Sequence, residues 1–467
     1  MRITVDSLKS GAEVSLTGGS LRHPLQPDDR MQDKNHMFVS LEHCGISYQA
    51  PPDGLIADLW RSLDLKRLGS DRRHVRQLQI LTPFHVTENT PYVTPPHHFP
   101  HTRWQHSLGA AALVDAMAAN NGLPPETTKT GLALEATHDM MLPAGGDMTK
   151  QYFKRHERKL VDEDAQYGTI FDRQPDIWYG LCQRHGLPTD AASQMIASIN
   201  GAGLLGQLHK LADASSYLSL DMAHMCQGFQ RVWGEEWPAK CPEQYHEIFD
   251  LLRLRPLAIW ETVEVRNGTA VVTDPWRLRA FLKVHLLMWR FYQNPAAKFL
   301  ELLHLEVLLP YLARRGFMDS TKIMHWDDTH LFRLIDKTMG LPGLSSNLQF
   351  LGTPPLAKSF ASRRQALTFE RQAYRDGSFT LVWCTGQSPT INTKTHLFHV
   401  PGPNGAPVTF EQAEPNEAIL LKRIALAEQH EPRWFVFYIP RTLFTRRLTP
   451  ALEEAWQQAR TRWLKEA

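Results

Sequence analysis

The chain has 467 residues, of which 42% are hydrophobic and 21% charged, with 51 basic against 49 acidic side chains and a formal charge of +2. That balance supports a large folded core, and length alone allows two to four average domains or one large domain with attachments. It excludes a global electrostatic pull towards nucleic acid or a membrane surface. The five cysteines, at 44, 182, 226, 241 and 384, form no C-x-x-C pair, which reads as reduced thiols in a cytoplasmic protein. The N-terminus lacks the apolar segment of a signal peptide, and the most apolar stretch, Ala280 to Met288, is interrupted by Lys283 and His285.

In chain order, residues 1–35 are polar and rich in Gly, Ser and Asp, the composition of a loosely held arm. Met37–Leu41 and Gly45–Tyr48 predict a short hairpin. Pro51-Pro52-Asp53-Gly54 punctuates, with Asp53 placed to cap a helix over Leu55 to Leu78. Leu81 to His101 holds five prolines with His97, His98 and His101, a loop lacking the rigid support a metal site needs. From Thr102 the pattern is helical: Gln105 to Asn120, Thr127 to Met141, Tyr152 to Ala165, Ile177 to His185, Asp190 to Ile199 and Leu204 to Phe229. Thr262 to Thr273 alternates around Asn267-Gly268, a hairpin turn signal. Two helices follow over Pro275 to Arg315, broken near Asn294-Pro295, then one over Asp327 to Met339. Past the prolines and glycine at 342–355, strands are predicted at 379–383, 396–400 and 434–438 and a helix over Leu452 to Glu466. The expected architecture is mainly α, with a flexible arm at 1–35, a helical bundle over 36–344 and a smaller α+β accessory unit over 345–467.

Chemistry concentrates in three places. His138-Asp139 lies inside an otherwise apolar run, His106 stands in the small-residue helical run that opens near Arg103, and His209, Asp213, Tyr217 and Asp221 recur every four residues on one helix face. Neighbours on a helix point about 100° apart, so His138 and Asp139 can share an ion only at a helix end or kink. Two imidazoles and two carboxylates, from His106, His138, Asp139 and Asp213, suit one divalent ion such as Mn, Fe, Co, Ni, Mg or Zn. Such an ion lowers the pKa of bound water towards neutrality and favours attack on phosphorus.

Arg103-x-x-His106, His138-Asp139 and Asp213-x-x-x-Tyr217-x-x-x-Asp221, in that order, resemble the HD-domain phosphohydrolases, and within them the dNTP triphosphohydrolases. Leu65-Lys66-Arg67-Leu68 with Arg76-Gln77-Leu78, His156-Glu157, and Trp289 to Gln293 resemble further landmarks of that family, over roughly 36–340. The resemblance implies a helical HD bundle with metal ligands His106, His138, Asp139 and Asp213. It implies substrate contacts from Gln77, Arg103, Tyr217, Asp221 and Tyr292, and a proton donor at His156 oriented by Glu157. It also implies a nucleotide substrate, a homo-oligomer and cleavage of dNTP to deoxynucleoside and triphosphate.

Two departures stand out. Leu142 and Asp147 occupy positions where the family carries histidines, and Val284 replaces its phosphate-binding arginine, with Lys283 or His285 as neighbouring substitutes. Asp147 is a candidate base or a helix cap. Alternatives are therefore a nucleotide-binding sensor, or an HD-fold diiron oxygenase using His156 and His185. Arg441, Arg446 and Arg447 leave a nucleic-acid or partner contact open beside a simple solvated basic face.

Overall fold

Phe38–Leu41 (β1) and Ile46–Gln49 (β2) pair antiparallel, Leu41 opposite Ile46, as the alternation predicts. In the computed structural model of the chain, the residues described are 37–63, 102–157, 163–241, 243–292, 299, 302–341, 356–384, 393–428, 434–443 and 448–465. Val39 and Leu41 turn inward while Phe38 and Ser40 face out, the period-two pattern of a half-buried strand. Leu55–Ser62 (α1) begins at Gly54 without a side-chain cap, so Asp53 does not take the role expected of it. The reason is local: the Gly54 N–H turns back to the Pro51 carbonyl at 3.0 Å, which leaves glycine as the cap residue. The predicted continuation to Leu78, with Gln77, lies outside the described residues.

Arg103–Asn120 (α2) opens with a capping box. The Gln105 N–H donates to Thr102 Oγ1 at 3.1 Å, and the Thr102 N–H donates to Gln105 Oε1 at 2.7 Å. This fixes the helix start one turn before the histidine it must aim. Its alanines and Gly109 let Pro125–Thr137 (α3) and the 31-residue Gly203–Trp233 (α7) approach closely. A Cβ on Gly109 would stand 2.6 Å from Ser216 Oγ and 3.1 Å from a Leu41 methyl. We therefore expect Gly109→Ala to destabilise the fold by about 1–3 kcal/mol through overpacking, read by denaturant unfolding.

After α3 the chain turns through Pro143-Ala144-Gly145-Gly146 into Gly146–Tyr152 (α4). Gly145, at φ +79, takes the left-handed conformation the turn needs, and its N–H donates to Asp328 Oδ1 at 2.6 Å. Asp328 opens Asp328–Met339 (α10), which Asp327 caps through the His330 N–H. The single helix predicted over Tyr152 to Ala165 is not formed as such. The α-helix widens at Phe153 into a π-turn through Glu157, and Glu163–Gln166 is a separate short helix. Pro175–His185 (α5) and Ala191–Ser198 (α6) follow, near the predicted bounds.

Beyond α7 lie Glu243–Leu252 (α8), Val263–Arg266 (β3), Thr269–Val272 (β4) and Pro275–Tyr292 (α9). Asn267 and Gly268 both have positive φ, as a two-residue hairpin requires. The C-terminal part carries Leu356–Phe360 (β5), Ser378–Cys384 (β6), His399–Pro401 (β7), Pro407–Thr409 (β8) and Trp434–Pro440 (β9). Its principal helices are Arg363–Arg375 (α11), Pro415–Glu428 (α12) and Pro450–Lys465 (α13). Strands β5, β9 and β6 form an antiparallel sheet in that order. The other sheet runs β3-β4-β7-β8, with Val271 of β4 paired in parallel to His399 of β7. A sheet begun by the hairpin at 263–272 is thus completed by strands from beyond residue 345, and Phe281 packs on Phe398 at 6.0 Å. The fold is mainly α with a smaller α+β portion. Among the described residues no helix is long and apolar enough to cross a membrane.

Candidate metal centre

Three helices gather His106, His138 and Asp139 into one buried group, with Asp213 beside the histidines. His106 comes from the first turn of α2, His138 and Asp139 from the end of α3, and Asp213 from the middle of α7. The adjacency of His138 and Asp139 is resolved because α3 stops at Thr137. Tight turns follow, Met140 N–H to Thr137 O at 2.8 Å and Leu142 N–H to Asp139 O at 3.0 Å. Both side chains are thereby brought to one side, with His138 Nε2 3.6 Å from Asp139 Oδ2. His106 Nε2 lies 3.2 Å from His138 Nε2, 3.2 Å from Asp213 Oδ1 and 3.8 Å from Asp139 Oδ2. His138 Nε2 lies 3.8 Å from Asp213 Oδ1. Among the described residues, His106, His138 and Asp139 form a buried group whose donor atoms all lie within 4.8 Å of one another.

The hydrogen bonds behind the histidines decide what the centre can hold. His138 Nδ1 faces the Glu135 backbone carbonyl at 2.8 Å, an acceptor, so Nδ1 carries the proton. Ser216 Oγ donates its own proton to the His106 carbonyl at 2.8 Å, so at 3.2 Å it accepts from His106 Nδ1. A ring that carries only its Nδ1 proton has a lone pair on Nε2, so both Nε2 atoms can serve as ligands beside the carboxylate oxygens. Facing acceptors of this kind are stabilised by a cation between them, a metal ion or a proton. Ligands held about 2.1 Å from one ion lie roughly 3.0–3.5 Å apart, close to the spacings seen. The donor set therefore fits a divalent metal, with each histidine oriented from behind as metal-bound histidines are.

Charge supports the same assignment. Burial pushes the Asp139 carboxyl up, but His138, Arg103 and His106 outweigh it and hold it below the usual range. Asp213 is held well below that range: burial works against it, and the His106 bond and the neighbouring histidines prevail. Burial pulls His138 down, and Asp139, Glu135 and Asp213 together raise it. Arg103, expected to touch substrate, is 3.4 Å from Asp139 Oδ2.

A second ring of residues supports the first. Glu135, fully buried, accepts from His209 Nδ1 through both carboxylate oxygens, at 3.0 and 3.1 Å. The His209 ring meets His138 edge-on, with centroids 5.4 Å apart. The spacing predicted His209 on the polar face of α7 but gave no sign of Glu135 or Ser216 as partners. The side chain of Asp213 is 22% exposed, against 2% for His106 and 7% for His138 and Asp139. The centre therefore opens on the Asp213 side.

On that side stands Tyr217, its ring 6.2 Å from His106 and 6.4 Å from His285. Burial, then Asp213 and Asp221, push its hydroxyl pKa well up, so it stays a neutral phenol. Asp221 is fully buried beneath it. Leu142 and Val284 are both buried and apolar. Of Val284's neighbours, Lys283 turns away to Glu247 at 2.5 Å, whereas His285 faces Tyr217. Burial, with the Lys394 charge, lowers the His285 pKa to about 3 and keeps the ring neutral.

The remaining predicted residues are placed elsewhere or only in part. His156 stacks on Tyr152 at 5.2 Å and lies 3.8 Å from Glu306 Oε2, while Glu157 accepts from the Tyr152 hydroxyl at 3.2 Å. A carboxylate near His156 is thus supplied by Glu306, a residue with no signal in the sequence. His185 Nε2 is 2.9 Å from Asp58 Oδ2, and neither His156 nor His185 belongs to the buried group of His106, His138 and Asp139. Asp147 and Tyr292 lie in α4 and α9, and their side chains are outside the described set, as is all of Gln77.

No protein-family model and no curated protein matches the chain. Solved structures do share its fold. A phosphohydrolase from Bacteroides thetaiotaomicron aligns over 84% of this chain and 98% of its own, with TM-score 0.55 and 16% identity. A hypothetical protein from Aquifex aeolicus aligns over 87% of this chain and 95% of its own, with TM-score 0.51 and 15% identity. At these identities the likeness is one of fold.

Proposed function

We propose that the chain is a metal-dependent phosphohydrolase of the HD type acting on a nucleotide, its best-specified reaction being cleavage of a dNTP to deoxynucleoside and triphosphate. The observation that carries this is the buried group of His106, His138 and Asp139, with Asp213 Oδ1 3.2 Å from His106 Nε2. The shared fold with a protein described as a phosphohydrolase supports it. His106, His138, Asp139 and Asp213 would hold the ion. When bound there, a divalent ion supplies a lowered pKa for its water and polarises a phosphoryl oxygen.

The chain's own residues do the rest. Ser216, Glu135 and His209 fix the ring orientations, and Arg103 fixes Asp139. Tyr217 offers a flat, uncharged wall on the open side, suited to a sugar or base. His156 is the candidate proton donor to a leaving oxygen, with Tyr152 and Glu306 holding its ring.

The full-length protein incubated with Mn and each dNTP should release deoxynucleoside and triphosphate, resolved by chromatography. Absence of both nucleoside and phosphate products with every dNTP and NMP would overturn the proposal. The buried, apolar Leu142 and Val284 favour a second reading, a nucleotide-binding sensor. Calorimetric binding of a dNTP without products would select it.

A further inference from the structure

The residue best placed to hold a phosphate on the open side comes from the far end of the sequence. Lys394 precedes β7, which pairs with β4, so the register of that sheet fixes where it enters. Its Nζ lies 5.9 Å from the centroid of the Tyr217 ring. Burial lowers the pKa of its ammonium, and Asp213, which raises it, and Lys210, which lowers it, are both within electrostatic reach. Its backbone adopts φ +54, a left-handed conformation that a lysine rarely takes. The surroundings hold it there: Thr393 and Thr395 are buried with hydroxyls 3.2 Å apart, Thr395 Oγ1 reaches Glu411 at 3.4 Å, and the Leu397 N–H closes a turn on the Lys394 carbonyl at 3.0 Å. Strained backbone that persists because its neighbours enforce it is concentrated at ligand sites.

Two lysines from distant parts of the chain, 210 and 394, therefore bring positive charge to the same space, beside the one metal-centre carboxylate that is partly open. Like charges gathered at a pocket wall are the complement of a polyanion. The neutral His285 and Tyr217 complete that wall with hydrogen-bonding groups. We propose that Lys394 binds the phosphate oxygens of the substrate, taking over from the α9 position where Val284 is apolar. This rests on the phosphohydrolase reading, and it makes the C-terminal part of the chain a contributor to the site.

The test uses the full-length protein, with sodium tripolyphosphate as probe in calorimetry and Mn binding measured separately by equilibrium dialysis. Lys394→Asn removes the charge with a residue that tolerates positive φ, Lys394→Gly does so with no backbone strain, and Lys394→Arg retains the charge. We expect the Asn and Gly variants to bind tripolyphosphate about 10- to 100-fold more weakly, as for a lost charged hydrogen bond. Mn affinity should move less than about threefold, and Arg should recover most of the lost binding. Unchanged tripolyphosphate affinity in both neutral variants would overturn the inference, as would a wild-type protein that binds none. A shift confined to Mn affinity would also overturn it, by making Lys394 a mere counter-charge to Asp213. A wild type that binds tripolyphosphate through Lys394 but no Mn would sink the metal reading and leave this inference standing.

Discussion

Replacing Asp139 with asparagine should leave less than about a tenth of the wild-type metal on the purified chain, by elemental analysis after Mn loading. Loss of a supporting partner behind a ligand typically costs about 10–100-fold in metal affinity, and loss of the ligand itself should exceed that. The expectation follows from charge as well as geometry. Asp139 brings one of two negative charges in the set, and its carboxyl is held in the anionic form by His138, Arg103 and His106 despite burial. Asparagine keeps the volume and one oxygen but not the charge, so turnover should fall with metal content. His106→Ala should behave the same way, because it removes the nitrogen that lies 3.2 Å from both His138 Nε2 and Asp213 Oδ1. If Asp139→Asn retained stoichiometric Mn, the carboxylate would be only an ion-pair partner for Arg103, 3.4 Å away. Circular dichroism on the same sample separates lost metal from lost fold.

The parts of this arrangement that were legible in the sequence are those written locally. Asn267-Gly268 named its hairpin because few residues other than these accept two successive positive φ angles. The four-residue recurrence of His209, Asp213, Tyr217 and Asp221 named a polar face on α7, and the helix runs from Gly203 to Trp233 around it. Of His106, His138, Asp139 and Asp213, which the spacing groups as one set, the first three form a buried cluster and Asp213 Oδ1 stands 3.2 Å from His106 Nε2. What escaped depends on contacts between distant segments. Ser216 lies 110 residues from the His106 it orients, and nothing about a serine in an apolar helix announces that bond. Lys394 enters through a turn that sequence patterning does not distinguish from any polar loop, and its place is set by the pairing of β7 with β4. The π-turn at Phe153–Glu157 has no signature in the sequence, because a widened turn leaves the residue pattern of an α-helix nearly unchanged. Strand β5 and helices α11 and α12 escape the sequence patterning, and α11 has a mostly polar surface that hides its apolar stripe of Ala366, Leu367 and Ala373.

The largest expected loss of stability from a residue outside the metal set is at Glu135. Its carboxylate is fully buried and grips His209 Nδ1 with both oxygens, while its backbone carbonyl receives the proton of His138 Nδ1. Glu135→Ala removes the side chain and leaves the carbonyl, so the His138 bond survives and His209 loses its partner inside the bundle. Truncating one member of a buried, hydrogen-bonded pair typically costs about 3–5 kcal/mol, because the other polar group is left without compensation. We expect a loss of that size in denaturant unfolding of the metal-free protein, with a weaker, secondary fall in Mn affinity of about 10-fold as the His138 ring loses its neighbour. Glu135→Gln should recover part of the stability, since the amide oxygen still accepts from His209 while the charge is gone. The decisive comparison is the double variant Glu135→Ala, His209→Leu. If the two residues stabilise chiefly each other, the double variant is less destabilised than the sum of the singles, by a coupling of about 1–3 kcal/mol. Additive losses would mean that Glu135 acts instead through His138, whose ring nitrogen is 4.0 Å from the same carboxylate.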